Sequence, residues 1–393
     1  MKIRGKILSF AACAYSAVSA ASSVGSFLVT NNDVPQANPP IGPAGSSVTY
    51  YSLASNGTVS NKTVIETNGV GVGGGDFAYS RIAIVPQGAD VCVFASNGAS
   101  ANIAGISIES LALTGDFAGS STDVATSNGI GLAANANYLY AAFSTSSTIA
   151  TFTIQPGCVL DFVSDLLAVG LNSGLVTGVA LHGTMMVVTY GDGSIESFSI
   201  AGGAPVSNGD AQNSTGSAED HLPNGVDITA DGHYAIFGDA STQTTLEVSD
   251  ISSGKLTTTV AYSLGTSWNS GSARLTPDES MIIVTNNSGG AVTALRFDKV
   301  SGAIAAGCTS GPLSGLYNTW SYAGAAALQL PSSTGGLIYV PEFGSNGYSS
   351  IGVVQLTRSG NTCTLSELSS SPIVDNSDLS DLLSIGIYPL RSF

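Results

Sequence analysis

Apolar residues in this chain come in short runs, broken by clusters of Gly, Asn, Asp and Ser. The segment ARLTPDESMIIVTNNSGGAVTALRFDKVSG (273–302) shows the theme. An apolar run meets a Pro-Asp turn, a second apolar run ends in Asn, a Gly-Gly turn follows, and a third run alternates. Alternation with period 2 and β-branched or aromatic enrichment between turn residues is the pattern of strands. The same unit recurs as IAIVPQGADVCVF, GLAANANYLYAAF, VALHGTMMVVTY, VDITADGHYAIF and LQLPSSTGGLIYV, with a last start at SIGIYP. The polar turn begins at Pro86, Ala134, His182, Ala230, Pro277, Pro331 and Pro389, in steps of 48, 48, 48, 47, 54 and 58 residues.

A period in the 40s to 50s with several short strands per unit predicts a β-propeller. In the unit around Pro277, ARLT is the inner strand, SMIIVTN the second, AVTALRFD the third and AIAAGCT the outer one. SIGIYP (384–389) is an inner strand without followers, whereas GSFLVTNN near the other end is a second strand without an inner partner. The two ends therefore predict one composite blade, seven in all, closing the ring and hiding its edges. The expected architecture is all-β: a seven-bladed propeller of four-stranded antiparallel blades over 21–393. The tracts 33–45 and 207–221 are read as loop insertions.

Composition changes the picture in two ways. Net charge is −16, with 11 Lys and Arg against 27 Asp and Glu and no basic cluster, which excludes the phosphate-neutralising face that nucleic acid demands. Lys2, Arg4 and Lys6 precede the apolar stretch ILSFAACAYSAVSA, with Val18 and Ala20 at −3 and −1 of a cleavage point. This pattern predicts a signal peptide over 1–20. Its removal takes the net charge to −19. No later run reaches the ~20 apolar residues of a membrane helix, so a secreted monomer is expected, or a periplasmic one in a bacterium. Cys92, Cys158, Cys308 and Cys363 then remain, an even number that invites two disulfides. The fanning of blades argues against joining Cys308 to Cys363 on neighbouring outer strands, and connectivity stays open. Asn56, Asn61, Asn213 and Asn286 head sequons that a eukaryotic source would glycosylate if they are exposed.

The segment LTPDESMIIVTNNSGGAVTALRFDKVSGAI resembles the repeat of the seven-bladed lactonase-type propellers, the 6-phosphogluconolactonase and 3-carboxymuconate cyclase-like proteins. It keeps Pro277, Asp278, Asn286, Val292, Phe297, Asp298 and Gly302 of that pattern. LPNGVDITADGHYAIFGDAS (222–241) is similar to the P-N-G segment of gluconolactonase and regucalcin-like propellers. There the Asn helps to hold a divalent cation, which implies Asn224 as a metal ligand. The companion carboxylates of that site have no match here, and where the lactonase type shows P-H-x-H this chain has Leu-Pro-Asn.

Propellers bind at the mouth of the channel, on the loops leading into the inner strands. Six residues before each turn lie Ser80, Asn128, Val176, Asn224, Gly271, Ala325 and Leu383, a mostly small or apolar ring. Lactone hydrolysis needs an activated water and a stabilised oxyanion. The residues near the ring able to supply these are His221, as base or metal ligand, and Arg274 as anion-binding group. Arg81, Asp76, Tyr322 and Asn128 are substrate contacts. Each has a plainer reading: His221 as a solvated loop histidine, Arg274 as half of a structural ion pair, Asn224 as a turn residue before Gly225. His182 and His233 read as surface turn residues, and Glu342, ending a second strand, either points at the channel or caps a loop. The expected function is a secreted lactonase-like propeller that hydrolyses or binds a small lactone or sugar-acid metabolite at the channel mouth. The alternative is a non-catalytic extracellular scaffold that binds glycan or adheres.

Overall fold

The computed structural model describes residues 24–33, 45–72, 80–120, 129–214, 223–239, 245–257, 259–264, 270–286, 290–315, 326–329, 335–343, 349–374 and 381–389. They form seven antiparallel sheets, and no helix occurs among them. The signal segment 1–20 and the tract 34–44 lie outside the described residues.

Blade 6 shows how the repeated unit folds. Ser270–Leu275 is the inner strand, followed by Met281–Asn286, Val292–Asp298 and Ala303–Thr309 in ladder order. The Pro-Asp turn is built by its own side chains. Asp278 Oδ1 accepts from Thr276 Oγ1 at 2.8 Å and from Ser280 Oγ at 2.9 Å, and Glu279 takes φ +55°. The inner strands of blades 2 to 5 and 7 are Ile82–Gln87, Ile130–Ala134, Val176–His182, Pro223–Ile228 and Ala326–Gln329. Blade 1 is composite as expected. Phe27–Asp33 pairs with Ser47–Leu53 on one side and with the carboxy-terminal strand Asp381–Tyr388 on the other. Phe27 and Tyr388 stack at 5.1 Å across the seam.

Seven apolar clusters hold the ring, one per gap between blades. The reason is the pleat: successive strand residues point to opposite faces. Phe27 and Val29 pack toward blade 2, while Leu28 between them packs toward blade 7. Met281 and Ile283 join the gap with blade 7, and Ile282 and Val284 the gap with blade 5. No sheet covers both its faces alone, so stability is a sum over neighbours.

Two disulfides join adjacent blades. Cys92 in blade 2 binds Cys158 in blade 3, and Cys308 binds Cys363 between the outer strands of blades 6 and 7. The second corrects the fanning argument. The Cα atoms are 5.6 Å apart, because the twist of the sheets swings the start of Thr362–Glu367 back against Ala303–Thr309. The tract 207–221 is not wholly loop either: Ala204–Ser207 forms an outer strand, and Gln212–Asn213 adds to the third strand of blade 4. Among the four sequon asparagines, Asn56, Asn61 and Asn213 are exposed, whereas Asn286 is 5% exposed.

Candidate functional site

All inner strands begin at one end of the ring, called here the front, and the second strands finish there. At this level the inner strands depart from regular pairing. Register shifts fall between Val176 and Gly178 in blade 4, between Asn224 and Asp227 in blade 5 and between Ser270 and Ala273 in blade 6. In blade 1 a shift falls opposite Asn31 and Asn32, skipping Leu383. These are the ring positions Val176, Asn224, Gly271 and Leu383. A bulge adds a residue and re-aims side chains, and bulges gather beside binding sites. The P-N-G segment is therefore a bulge within a strand and not a turn between elements. Gly225 takes φ +57°, and a Cβ there would stand 2.9 Å from Ser272 Cβ in blade 6, so only glycine fits.

Arg274, leaving the bulge of blade 6, spans this front mouth. Its Nη1 donates to the carbonyl of Val226 in blade 5 at 3.0 Å, and its Nη2 donates to Ser80 Oγ at 2.8 Å. Ser80 precedes the inner strand of blade 2, three blades around the ring, so one side chain bridges nearly opposite walls. Next to Ser80 stands Arg81, 1% exposed, whose backbone N–H donates to Ser384 Oγ at 3.0 Å. Its guanidinium lies over Gly129, where a Cβ would come within 3.0 Å of Cζ and Nη2. Two permanent cations thus stand in the front mouth of a chain that carries 11 in all.

The carboxylates close to these arginines serve the scaffold. Asp227 Oδ2 accepts the Leu275 N–H at 2.9 Å, and its Oδ1 accepts the Ile228 N–H at 2.9 Å, tying blade 5 to blade 6. Thr177 and Thr189 pair their hydroxyls at 2.9 Å, and Ser272 N–H donates to Thr285 Oγ1 at 3.2 Å, so second strands brace the bulges. Glu342 is a different case. It is the last residue but one of the second strand of blade 7, Gly335–Phe343, aligned with Asn286 of blade 6, and is fully buried. Ser350 Oγ donates to its Oε2 at 3.0 Å, while Oε1 has no partner. Burial pushes its pKa up to about 7, with a smaller push from Glu367 and opposed by the Ser350 hydrogen bond.

Of the residues singled out from sequence, the structure brings Arg274 and Arg81 together around Ser80. His221, Asp76, Tyr322 and Asn128 lie outside the described residues, as does the side chain of Asn224. Among the described residues no group of three or more His, Cys, Asp or Glu gathers where it would hold a metal ion. His182 and His233 sit at the far ends of inner and second strands. His233 is 55% exposed beside Asp231, and His182 packs over Gly232. Sequence reasoning missed Ser384 and the burial of Glu342. Ser384 follows the ring position Leu383, and Glu342 replaces the Asn that ends V-T-N in blade 6; both were discoverable signals.

No family profile and no curated protein sequence matches the chain. Solved structures do. A candidate 6-phosphogluconolactonase of Bacteroides fragilis superposes with a TM-score of 0.66 at 14% identity, covering 94% of this chain and 99% of that one. Another from Bacteroides uniformis gives 0.65 at 12% identity, covering 93% and 100%. The periplasmic gluconolactonase of Pseudomonas aeruginosa gives 0.56 at 14% identity, covering 71% and 80%. At such identities the likeness establishes the fold, a seven-bladed propeller of the kind those lactonase-type proteins have.

Proposed function

We propose that this propeller is an exported lactonase-like protein acting on a small lactone or sugar-acid derivative at its front mouth. The observation that carries the reading is Arg274, held across the channel between Val226 and Ser80 with Arg81 behind it. A guanidinium fixed before substrate arrives suits an ester oxygen that gains negative charge, since no reorganisation is needed as the charge develops. In this reading water attacks the lactone carbonyl and gives its proton to a base. The carbonyl oxygen becomes an oxyanion facing Arg274. Collapse of the intermediate breaks the bond to the ring oxygen, which takes up that proton from the base, and the acid so formed releases water's second proton to solvent, leaving a carboxylate paired with the guanidinium. Asp227 is engaged by two backbone N–H groups, so the base is assigned to His221, with Asp76 and Tyr322 placing the sugar hydroxyls. Arg81, withdrawn from solvent, adds positive field and no direct contact. Export is supported by the amino-terminal signal pattern and by two interblade disulfides, which persist in oxidising compartments.

The test is turnover of a panel of five- and six-membered sugar lactones, with and without EDTA. Wild type is expected to hydrolyse at least one. Arg274→Ala should lose about 100-fold in kcat/KM, the loss of one oxyanion donor. A folded protein inactive on the whole panel overturns the reading. Glycan binding that survives both Arg274→Ala and His221→Ala would then establish a non-catalytic scaffold.

A further inference from the structure

A second site lies at the opposite, rear end of blades 6 and 7. Met281 opens the second strand of blade 6, Asp298 closes its third, and Arg358 nears the end of Ser349–Ser359 in blade 7. Between them is a groove of ≈ 510 Å³, inside the range of about 300–1,000 Å³ typical of small-molecule pockets. The Cys308–Cys363 disulfide fastens its two walls, and Met281 and Phe297 give it an apolar side. Its polar lining is unusual for so acidic a chain: two of the eight Lys and Arg residues beyond residue 20 stand here, Arg296 and Arg358.

The two arginines and two aspartates around the groove cancel in number but are paired unequally. Asp278 is answered by Arg358, whose Nη1 lies 2.7 Å from Oδ2. Asp298 is held by its own turn, accepting from Ser301 Oγ at 2.5 Å and from the Val300 N–H at 3.0 Å. Arg296 spends only Nε, which donates to the Ala306 carbonyl at 3.0 Å. That bond fixes the plane of the guanidinium, and the terminal nitrogens have no acceptor among the described residues. A planar pair of unengaged N–H donors is the fork that receives a carboxylate. Asp298, Asn361 and Thr362 around it offer acceptors and donors for hydroxyl groups.

We propose that this rear groove binds a sugar acid, its carboxylate on Arg296 and its hydroxyls on the Asp298, Asn361 and Thr362 side. The site is separate from the front mouth and needs no catalysis there. The test titrates the full chain with sodium D-glucuronate by calorimetry, with D-glucose and the methyl ester of glucuronate as neutral comparators. Saturable binding of glucuronate is expected, at least 10-fold tighter than either comparator. Arg296→Gln should weaken it at least 10-fold with unchanged thermal unfolding, and Arg274→Ala should leave it intact. Asn361→Asp, in an exposed turn, is a second arm: the added carboxylate should repel the ligand and weaken binding. Absence of saturable binding, equal binding of glucose, or indifference to both groove variants overturns the proposal. Loss of binding in Arg274→Ala does so too, because it moves the ligand to the front mouth.

Discussion

Replacing Glu342 by glutamine isolates what it costs this ring to bury a carboxylate. The side chain is fully buried, its Oε1 has no partner, and the carboxyl fits between Gly315 and Gly352, where a Cβ at either position would run into an oxygen. The charged group packed nearby is Glu367, occupied by Ser314 and Ser371, which also disfavours ionisation. The proton is therefore held to about pH 7 in the folded chain, against 4.5 for the ordinary group. Folded protein binds more protons than unfolded protein across that window, so stability is full below pH 4.5 and falls as pH rises toward 7. At about 1.4 kcal/mol per pH unit the loss reaches about 3 kcal/mol, a few degrees in Tm for a chain of this size. Glutamine keeps the shape and can accept from Ser350 but never ionises. Thermal unfolding from pH 4 to 8, disulfides intact, should find the two proteins alike at pH 4 and Glu342→Gln more stable by about 3 kcal/mol at pH 8. A difference that stays flat across the range, or that favours wild type at pH 8, refutes a buried neutral acid.

Other consequences follow from the ring and its mouth. Arg274→Lys keeps the charge but loses the two-point grip on Val226 and Ser80, so lactone turnover should fall nearly as far as in Arg274→Ala; kcat/KM across the pair checks this. Deleting 381–393 removes the strand that closes blade 1 and exposes Phe27 and Leu28, so calorimetry should show loss of the cooperative transition or aggregation. The disulfides close spans of 66 and 55 residues, and a chain-entropy account assigns each about 4 kcal/mol; reduction should lower Tm, and Cys→Ala at one pair should reproduce part of the drop. Expressed in a glycosylating host, the chain should carry no glycan at Asn286, which mass spectrometry of the peptides would detect.

How much of this was readable beforehand follows from which forces act at each place. The blades were legible because burial between sheets needs period-2 apolar runs, and the turns between them need Pro, Asp and Gly at set positions. The predicted turn starts Ala134 and His182 are the last residues of their inner strands, and Pro86 and Pro389 fall within one residue of an end. The seam was legible because an inner strand without followers and a second strand without a leader can complete only each other. Two disulfides were legible in the even cysteine count, but their connectivity escaped, since strand twist, and no pattern in the residues, decides whether neighbouring outer strands meet.

The front mouth obeys a different logic, and this is why its residues were only half visible. A bulge is one residue too many opposite its partner, so it appears in sequence as a slip in spacing that a fixed count of six passes over. The count still reached Val176, Asn224, Gly271 and Leu383, because the bulges sit at a common height set by the second strands beside them. It missed what each bulge aims. Arg274 looked like a buried strand cation in want of a counter-charge. The shift between Ser270 and Ala273 instead turns it across the channel, where a carbonyl from blade 5 and a hydroxyl from blade 2 hold it. The apolar gaps between blades can tolerate such irregularity because it lies at the strand ends, where it meets only the margins of the clusters, at Val176 and Ala273. A substitution at Arg274 or Ser80 should therefore change ligand chemistry far more than stability, whereas one at Ile283 or Phe94, inside the clusters, should do the reverse.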